Sequence, residues 1–562
     1  MSVAALTDES GTDRDRGVSR AAPEAEPAHS VLGANKDAAG WSTATGSADV
    51  HANVSNRQLV RNFATGYLSV VVSLVSGLIV VPVILRALGE SHYGLVVVMT
   101  SVGVLLSVFD AGVWTATVQQ AARASAQGDH ERRMAILATS RRFYGVSGIL
   151  AILVTMVMAP LVERIFNVDP GDVLTARIAI VVVGVTTALN FLGSVPNCAV
   201  YAAGRSDRTT SVLVLANLGV AGGQIAIALV GGGVVGVLVV VAVGSAVSLI
   251  ALTVLARRLG VLEPHRGKAS RAVLRELLVL GWRNLVFGQA GAIAYRYDAA
   301  VIGAVLPVKE VAPYALSLNT ANFTRTISTA GTNLLTPSYA HSDALDDRER
   351  QFRLFSGAVL LSMAVTGPAV VCFAAFGPDL LRIWLGSVPD QTWEVMVALN
   401  LMMLLQLPGH QAGILLQGIA QTKLLARIAI PVALVNLGLS IALTMRLGPI
   451  GPVLGSLPQA VLFEFVALPI YCCRLLNVPY IRYAKASLLP LVPSLLASVL
   501  VAAALYLAFG RVGWWSLAES ALVFAVAWVT LAGILWHREP AVRALGRRIA
   551  RFSRPPPERN TA

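Results

Sequence analysis

Apolar runs of about twenty residues, each closed by a short polar or glycine-rich break, recur from residue 65 to residue 537. A helix of that length spans the roughly 30 Å hydrocarbon core of a bilayer. The pattern predicts fourteen crossings, at about 65–87, 94–118, 143–163, 174–201, 210–230, 233–256, 277–306, 311–338, 353–376, 392–418, 426–446, 450–473, 487–510 and 514–537. The expected fold class is therefore an all-α integral membrane protein with about fourteen transmembrane helices.

Composition agrees with the pattern. Of 562 residues, 55% are hydrophobic and only 13% charged, too apolar for a soluble chain. The first sixty residues lack hydrophobic periodicity and are rich in Ala, Ser, Gly, Asp and Arg, which predicts a disordered tail. They also lack the basic-then-apolar start of a secretory signal, so insertion is expected to begin at the first crossing. The formal charge of +13 is spread over short loops, which points to membrane orientation and away from a nucleic-acid partner. Arg123, Arg132, Arg133, Arg141 and Arg142, then Arg257 to Arg275, then Arg474, Arg482 and Lys485 all fall on the side that holds both tails. The opposite loops hold isolated cations such as Arg86, Lys309, Arg382 and Arg511. By the positive-inside rule both termini are cytoplasmic.

Compared with itself at an offset of roughly 220 residues, the chain repeats. Asn217-Leu218-Gly219 returns as Asn436-Leu437-Gly438, Gly233 to Gly236 as Gly448 to Gly451, and Tyr93-Gly94 as Tyr314-Ala315. This predicts two six-helix lobes followed by two extra C-terminal helices. The boundaries are a tail over 1–58, lobes over 59–258 and 277–476 with a basic linker over 259–276, extra helices over 477–537 and a basic tail over 538–562.

The first hairpin reads Val81-Pro82, Arg86-Ala87-Leu88-Gly89, Tyr93-Gly94 and then Asp110-Ala111-Gly112. That order resembles the opening of the polysaccharide-transport (oligosaccharide flippase) family of the multidrug/oligosaccharidyl-lipid/polysaccharide exporter superfamily. Asp298 with Ile302-Gly303, Tyr314 and Pro337 resembles the start of the family's second half, and Leu447 to Gly451 resembles a later turn. Ala312-Pro313-Tyr314 departs from the family's Gly before this Tyr. The resemblance covers about residues 58 to 476. It implies a flippase in a bacterial plasma membrane that moves an undecaprenyl-pyrophosphate oligosaccharide from the inner to the outer leaflet by alternating access. Its partners would be that lipid-linked oligosaccharide, membrane lipids, and a polysaccharide polymerase or assembly proteins.

The chemistry-bearing residues are polar groups inside apolar runs. An Arg or Asp at mid-helix costs about 2.5–3.5 kcal/mol by insertion scales, so it faces protein or a wet cavity. Arg296 lies some 7 Å outward of its span's midpoint and Arg325 near the midpoint of the next, so in an antiparallel hairpin their stems start roughly 6 Å apart in depth. Asn322, Arg325, Thr329 and Thr332 share one helical face, with Asn319, Ser328 and Asn333 beside it, and Gln289 lies one heptad before Arg296. Two guanidinium forks over a cavity suit phosphate. For both arginines, anion contact and an internal ion pair stand as alternatives. The substrate-binding set is Arg296, Arg325, Asn322, Thr329 and Gln289.

Asp298 reads as a bond between helices of its own half, with coupling-ion binding as the alternative, and Asp110 as a structural residue near a helix end. Arg283 reads as snorkelling toward headgroups. Glu464 and Glu519 are isolated carboxylates able to take protons. His410 with Gln406, Gln411 and Gln417 forms a polar stripe in which the His is a wall residue, since no second metal ligand has suitable spacing. Cys198, Cys372, Cys472 and Cys473 read as packing residues. No metal or cofactor is implied. The chain has no G-x-x-x-x-G-K-[ST], H-E-x-x-H or G-x-S-x-G string, so it reads as a carrier and not an enzyme. The competing readings are a peptidoglycan-precursor flippase, a cation-coupled multidrug exporter, which would favour acidic cavity residues, and a membrane glycan ligase or polymerase, which would show a large external loop.

Overall fold

The computed structural model describes residues 56–262, 267–282, 298–329, 332, 335–419, 421, 423–509 and 515–538. Its longer helices are α1 (Asn56–Leu106), α2 (Val113–Ala126), α3 (His130–Met158), α4 (Val173–Ala202), α5 (Ser206–Leu229) and α6 (Gly233–Arg258). There follow α7 (271–282), α8 (Asp298–Val305), α9 (Val311–Ser328), α10 (Leu335–Ala344), α11 (Arg348–Leu385) and α12 (Thr392–Gly418). Then come α13 (Lys423–Leu447), α14 (Gly451–Pro458), a π-helical segment (Gln459–Ala467), α15 (Leu468–Leu475), α16 (Leu491–Phe509) and α17 (Trp515–Arg538). The described residues form no strand, only an isolated bridge between Asn167 and Pro307.

Helices dominate because lipid offers backbone groups no hydrogen-bond partner, and a helix satisfies its own. Leu507 and Val230 leave 84% and 80% of their surface uncovered, which in water would be a severe cost and in acyl chains is none. The protein is a multi-pass membrane protein.

Eight stretches among the described residues are long and apolar enough to cross a bilayer. Two of them, Leu68–Asp110 and Pro431–Leu475, run for 43 and 45 residues and each covers two predicted crossings. The 51 residues of α1 would measure about 76 Å if straight, so the chain must fold back. It turns at Gly89, whose φ of 79° and ψ of 172° suit a residue without a Cβ. The predicted 94–118 crossing is interrupted at Ala111 and Gly112, both left-handed, and the predicted 311–338 crossing is divided between α9 and α10. Of the 277–306 crossing, residues 283–297 lie outside the described residues.

Predicted crossings also fall on α9 and α12, which are missing from the eight because Asn319, Asn322 and Arg325, and Gln406, His410, Gln411 and Gln417, lower their apolarity. These two helices pack on each other and on α11, which buries Thr320, Thr324, Gln406 and Gln411. In the first half α4 packs between α3 and α6, and α5 on α1 and α6. In the second half α12 is the hub, touching α9, α10, α11 and the π-helical segment, while α16 and α17 pair and lean on α11. The segment leading into the second half packs on the first: Val273 and Leu277 bury themselves with Ala116, Ala121, Ala124 and Ile136.

Candidate functional site

Three faces of α9 carry different loads. Thr320, Thr324 and Ser328, spaced by four, are buried; Asn400 of α12 donates to Thr320 Oγ1 at 3.3 Å, and Ser328 and Thr366 of α11 share a hydrogen bond of 2.7 Å. Ser328 is thus turned toward α11. Asn319 lies beside the side chain of Tyr93 on α1, across the two halves. Asn322, Arg325 and Thr329 form the third, half-open face. Arg325 Nη2 reaches Asn322 Oδ1 at 3.4 Å, longer than a good hydrogen bond, and Thr329 Oγ1 donates to the Arg325 carbonyl at 2.8 Å. Thr332 is buried and donates to the Thr329 carbonyl at 2.8 Å. Arg296, Gln289, Asn333 and Arg283 lie outside the described residues.

The predicted stripe on α12 divides in the same way. Gln411 is buried and donates to Ser362 of α11 at 3.4 Å, and Gln406 is buried with no partner for its Nε2. His410 and Gln417, one heptad apart, are exposed, and at Gly413 between them nothing lies within 4 Å of where a Cβ would stand. Arg325 is close enough to act electrostatically on the His410 ring. Among the described residues, the open faces of α9 and α12 thus bring the Arg325 guanidinium and the His410 imidazole near each other, with amide and hydroxyl groups on the same faces.

The predicted carboxylates sit elsewhere. Asp298 opens α8 fully buried, and its Oδ2 accepts from the Tyr314 hydroxyl at 2.6 Å while Oδ1 has no partner. Asp110 accepts from the Tyr144 hydroxyl at 2.6 Å and from the Gly112 amide at 3.1 Å. Glu464 lies in the π-helical segment, where Gln459 Nε2 donates to it at 3.0 Å. Asn436 of α13 donates in turn to Gln459 Oε1 at 3.1 Å and to Ser456 at 2.9 Å. A Cβ on Gly409 would stand 2.7 Å from the Glu464 Cα, so α12 and this segment touch backbone to backbone beside His410. Glu519 on α17 is buried with one oxygen unpartnered. All four cysteines are free and buried. Among the described residues no three His, Cys, Asp or Glu side chains gather as a metal site.

Sequence reasoning passed over the bonds that hold the halves together. Arg86 Nε donates to the Leu385 carbonyl at 2.9 Å, at the C-terminus of α11, and Trp384 Nε1 donates to the Leu78 carbonyl at 2.8 Å. The Asn167 amide donates to the Gly303 carbonyl at 3.0 Å and the Val308 amide to the Asn167 carbonyl at 3.2 Å. At Gly94 a Cβ would stand 2.2 Å from the Val308 carbonyl oxygen, so only glycine admits that approach. The Tyr93-Gly94 motif was the available signal. These contacts lie toward the end that charge asymmetry assigns to the outside, and at the other end Gly281 stands against the backbone of Ala111 and Gly112.

Residues 83–398 match a family described as "Polysaccharide biosynthesis protein". A search of the curated proteins finds no sequence match. Among solved structures the chain is similar to lipid II flippase MurJ in an inward closed conformation, at 13% identity and a TM-score of 0.65, over 85% of this chain and 99% of that one. It is similar to an inward-facing multidrug resistance MATE family transporter of the MOP superfamily, at 17% identity and a TM-score of 0.56, over 75% of this chain and 95% of that one. It also resembles a MOP superfamily transporter from Pyrococcus furiosus Vc1, described as having a binding pocket of reverse polarity, at 17% identity and a TM-score of 0.50, over 75% and 96% of the two chains. At these identities the likeness shows a common fold.

Proposed function

Because the chain belongs to the polysaccharide biosynthesis protein family and folds like flippases and exporters of the MOP superfamily, we propose that it is a flippase for a lipid-linked oligosaccharide, acting in a bacterial plasma membrane with both termini cytoplasmic. The half-open face of Asn322, Arg325 and Thr329, set opposite His410 and Gln417 inside an apolar protein, carries this reading. The Arg325 guanidinium holds the anionic pyrophosphate, joined by Arg296 and Gln289 from the preceding crossing, and the amides and hydroxyls bond sugar hydroxyls.

The two halves, 59–258 and 277–476, rock about this face. The outer-end bonds close this arrangement toward the outside, while Leu277 and Gly281 of the second half also pack on the first half at the cytoplasmic end. Asp298 and Asp110, each bonded to a tyrosine of its own half, hold helices together; Glu464 is the candidate for coupling.

Deletion followed by analysis of prenyl-linked sugars is the test. Build-up of an oligosaccharide carrier on the inner leaflet is the expected result, and an unchanged carrier pool would refute the proposal. The likeness to lipid II flippase MurJ supports a second reading, a peptidoglycan-precursor flippase. In that case the accumulating lipid is a peptidoglycan precursor.

A further inference from the structure

The wall of α12 opposite Arg325 offers a group that the transport reading has not used. His410 is exposed on α12, a helix packed on α9, and it lies within electrostatic reach of Arg325 on that helix. A histidine that merely packed would be covered, as its neighbours Gln406 and Gln411 are. Gln417 is exposed one heptad on, and nothing lies within 4 Å of where a Gly413 Cβ would stand, so this face of α12 is uncovered over two turns.

We infer that His410 is a further arm of the head-group site, binding a diphosphate beside Arg325 and entering the complex protonated, so that head-group binding takes up a proton from the open side. The inference rests on the reading of the Arg325 face as a pyrophosphate site. Its chemistry is specific: protonated imidazole donates a charge-assisted hydrogen bond to phosphate oxygen, and an anion against the ring favours that form.

The surroundings leave this role to His410. Of the elements packed on α12, α9 brings Arg325, and α14 brings no charged residue. The π-helical segment brings Glu464, which lies behind the Gly409 backbone and is bonded by Gln459. α11 carries its charged residues only near its two ends, α10 has the exposed His341 and Asp343, and α15 the exposed Arg474. Among the described residues, His410 is thus the titratable group beside the guanidinium on the exposed face of α12.

The test uses the full chain purified into nanodiscs, with inorganic pyrophosphate as the probe and calorimetry near neutral pH in buffers of different ionisation enthalpy. Wild type is expected to bind with uptake of up to about one proton. His410→Gln should bind about ten-fold more weakly or worse and take up none. His410→Lys, a fixed cation, should recover affinity without proton uptake. Where His410→Gln does not fold, His410→Asn takes its place.

Equal affinity and equal uptake in wild type and His410→Gln would overturn the inference, as would a wild type that does not bind pyrophosphate. Either result leaves the transport reading standing if deletion still accumulates a lipid-linked oligosaccharide. A deletion without that accumulation would remove the transport reading even where pyrophosphate binding depends on His410.

Discussion

The buried side chains differ in what their removal leaves behind. Asp298 is fully buried with one oxygen bonded by Tyr314 and the other unpartnered, so it has no bond to spare. Tyr314→Phe strips the remaining donor and should cost about 1–3 kcal/mol, seen as a lower Tm in detergent, whereas Asp298→Asn, which keeps an acceptor and carries no charge, should cost less. Equal melting of Tyr314→Phe and wild type would mean the bond contributes nothing. Arg325 is a different kind of residue, half-open beside Asn322. Arg325→Glu should insert and fold yet abolish transport, since it puts an anion where the head group's anion binds; a normal carrier pool in that strain would defeat the site assignment. The sequence made Arg325 visible because a cation in an apolar run needs a reason. It could not divide α9 into three faces, since 320/324/328 and 322/325/329 both have helical spacing and only packing against α11 and α12 separates them.

In the proposed rocking cycle, helix ends and breaks set how the halves move. Arg86 of α1 donates to the last turn of α11, where a cation also meets the negative end of the helix dipole. Arg86→Ala removes one hydrogen bond, worth about 0.5–1.5 kcal/mol, from the outward-closed arrangement alone, so the outward-open population should rise about two- to ten-fold. Spin labels at the exposed positions Glu90 and Asp390, with the four native cysteines replaced, would show a longer-distance population growing in the variant. An unchanged distance distribution would show that Arg86 does not hold the gate. Apolar periodicity located nearly every helix, because twenty-residue runs have few alternatives in lipid. The π-helical segment at Gln459–Ala467 was invisible to it, since one residue more per turn leaves an apolar run apolar. The break at Ala111–Gly112 is equally hidden inside an apolar run, although its Asp-Ala-Gly string carries part of the family resemblance.

At the scale of the whole molecule the question is what drives a cycle in one direction. The chain carries no P-loop string, so its own sequence offers no nucleotide to spend. A head group with two negative charges moving outward across a negative-inside potential of 100 mV releases about 4.6 kcal/mol, twice the roughly 2.3 of a single charge. If the proton taken up at His410 leaves with the head group, one charge is offset and the release falls to about 2.3 kcal/mol. The two cases differ in the slope of rate against potential, which a valinomycin-set potassium gradient imposes on proteoliposomes holding the purified chain and a lipid-linked oligosaccharide. Transport should quicken with a negative interior and slow when the sign is reversed, and His410→Gln, which carries no proton across, should show the steeper slope. Rates indifferent to the potential in both proteins would mean that the field does not drive the cycle, and would move attention to Glu464 and its chain of amides as the place where another ion enters.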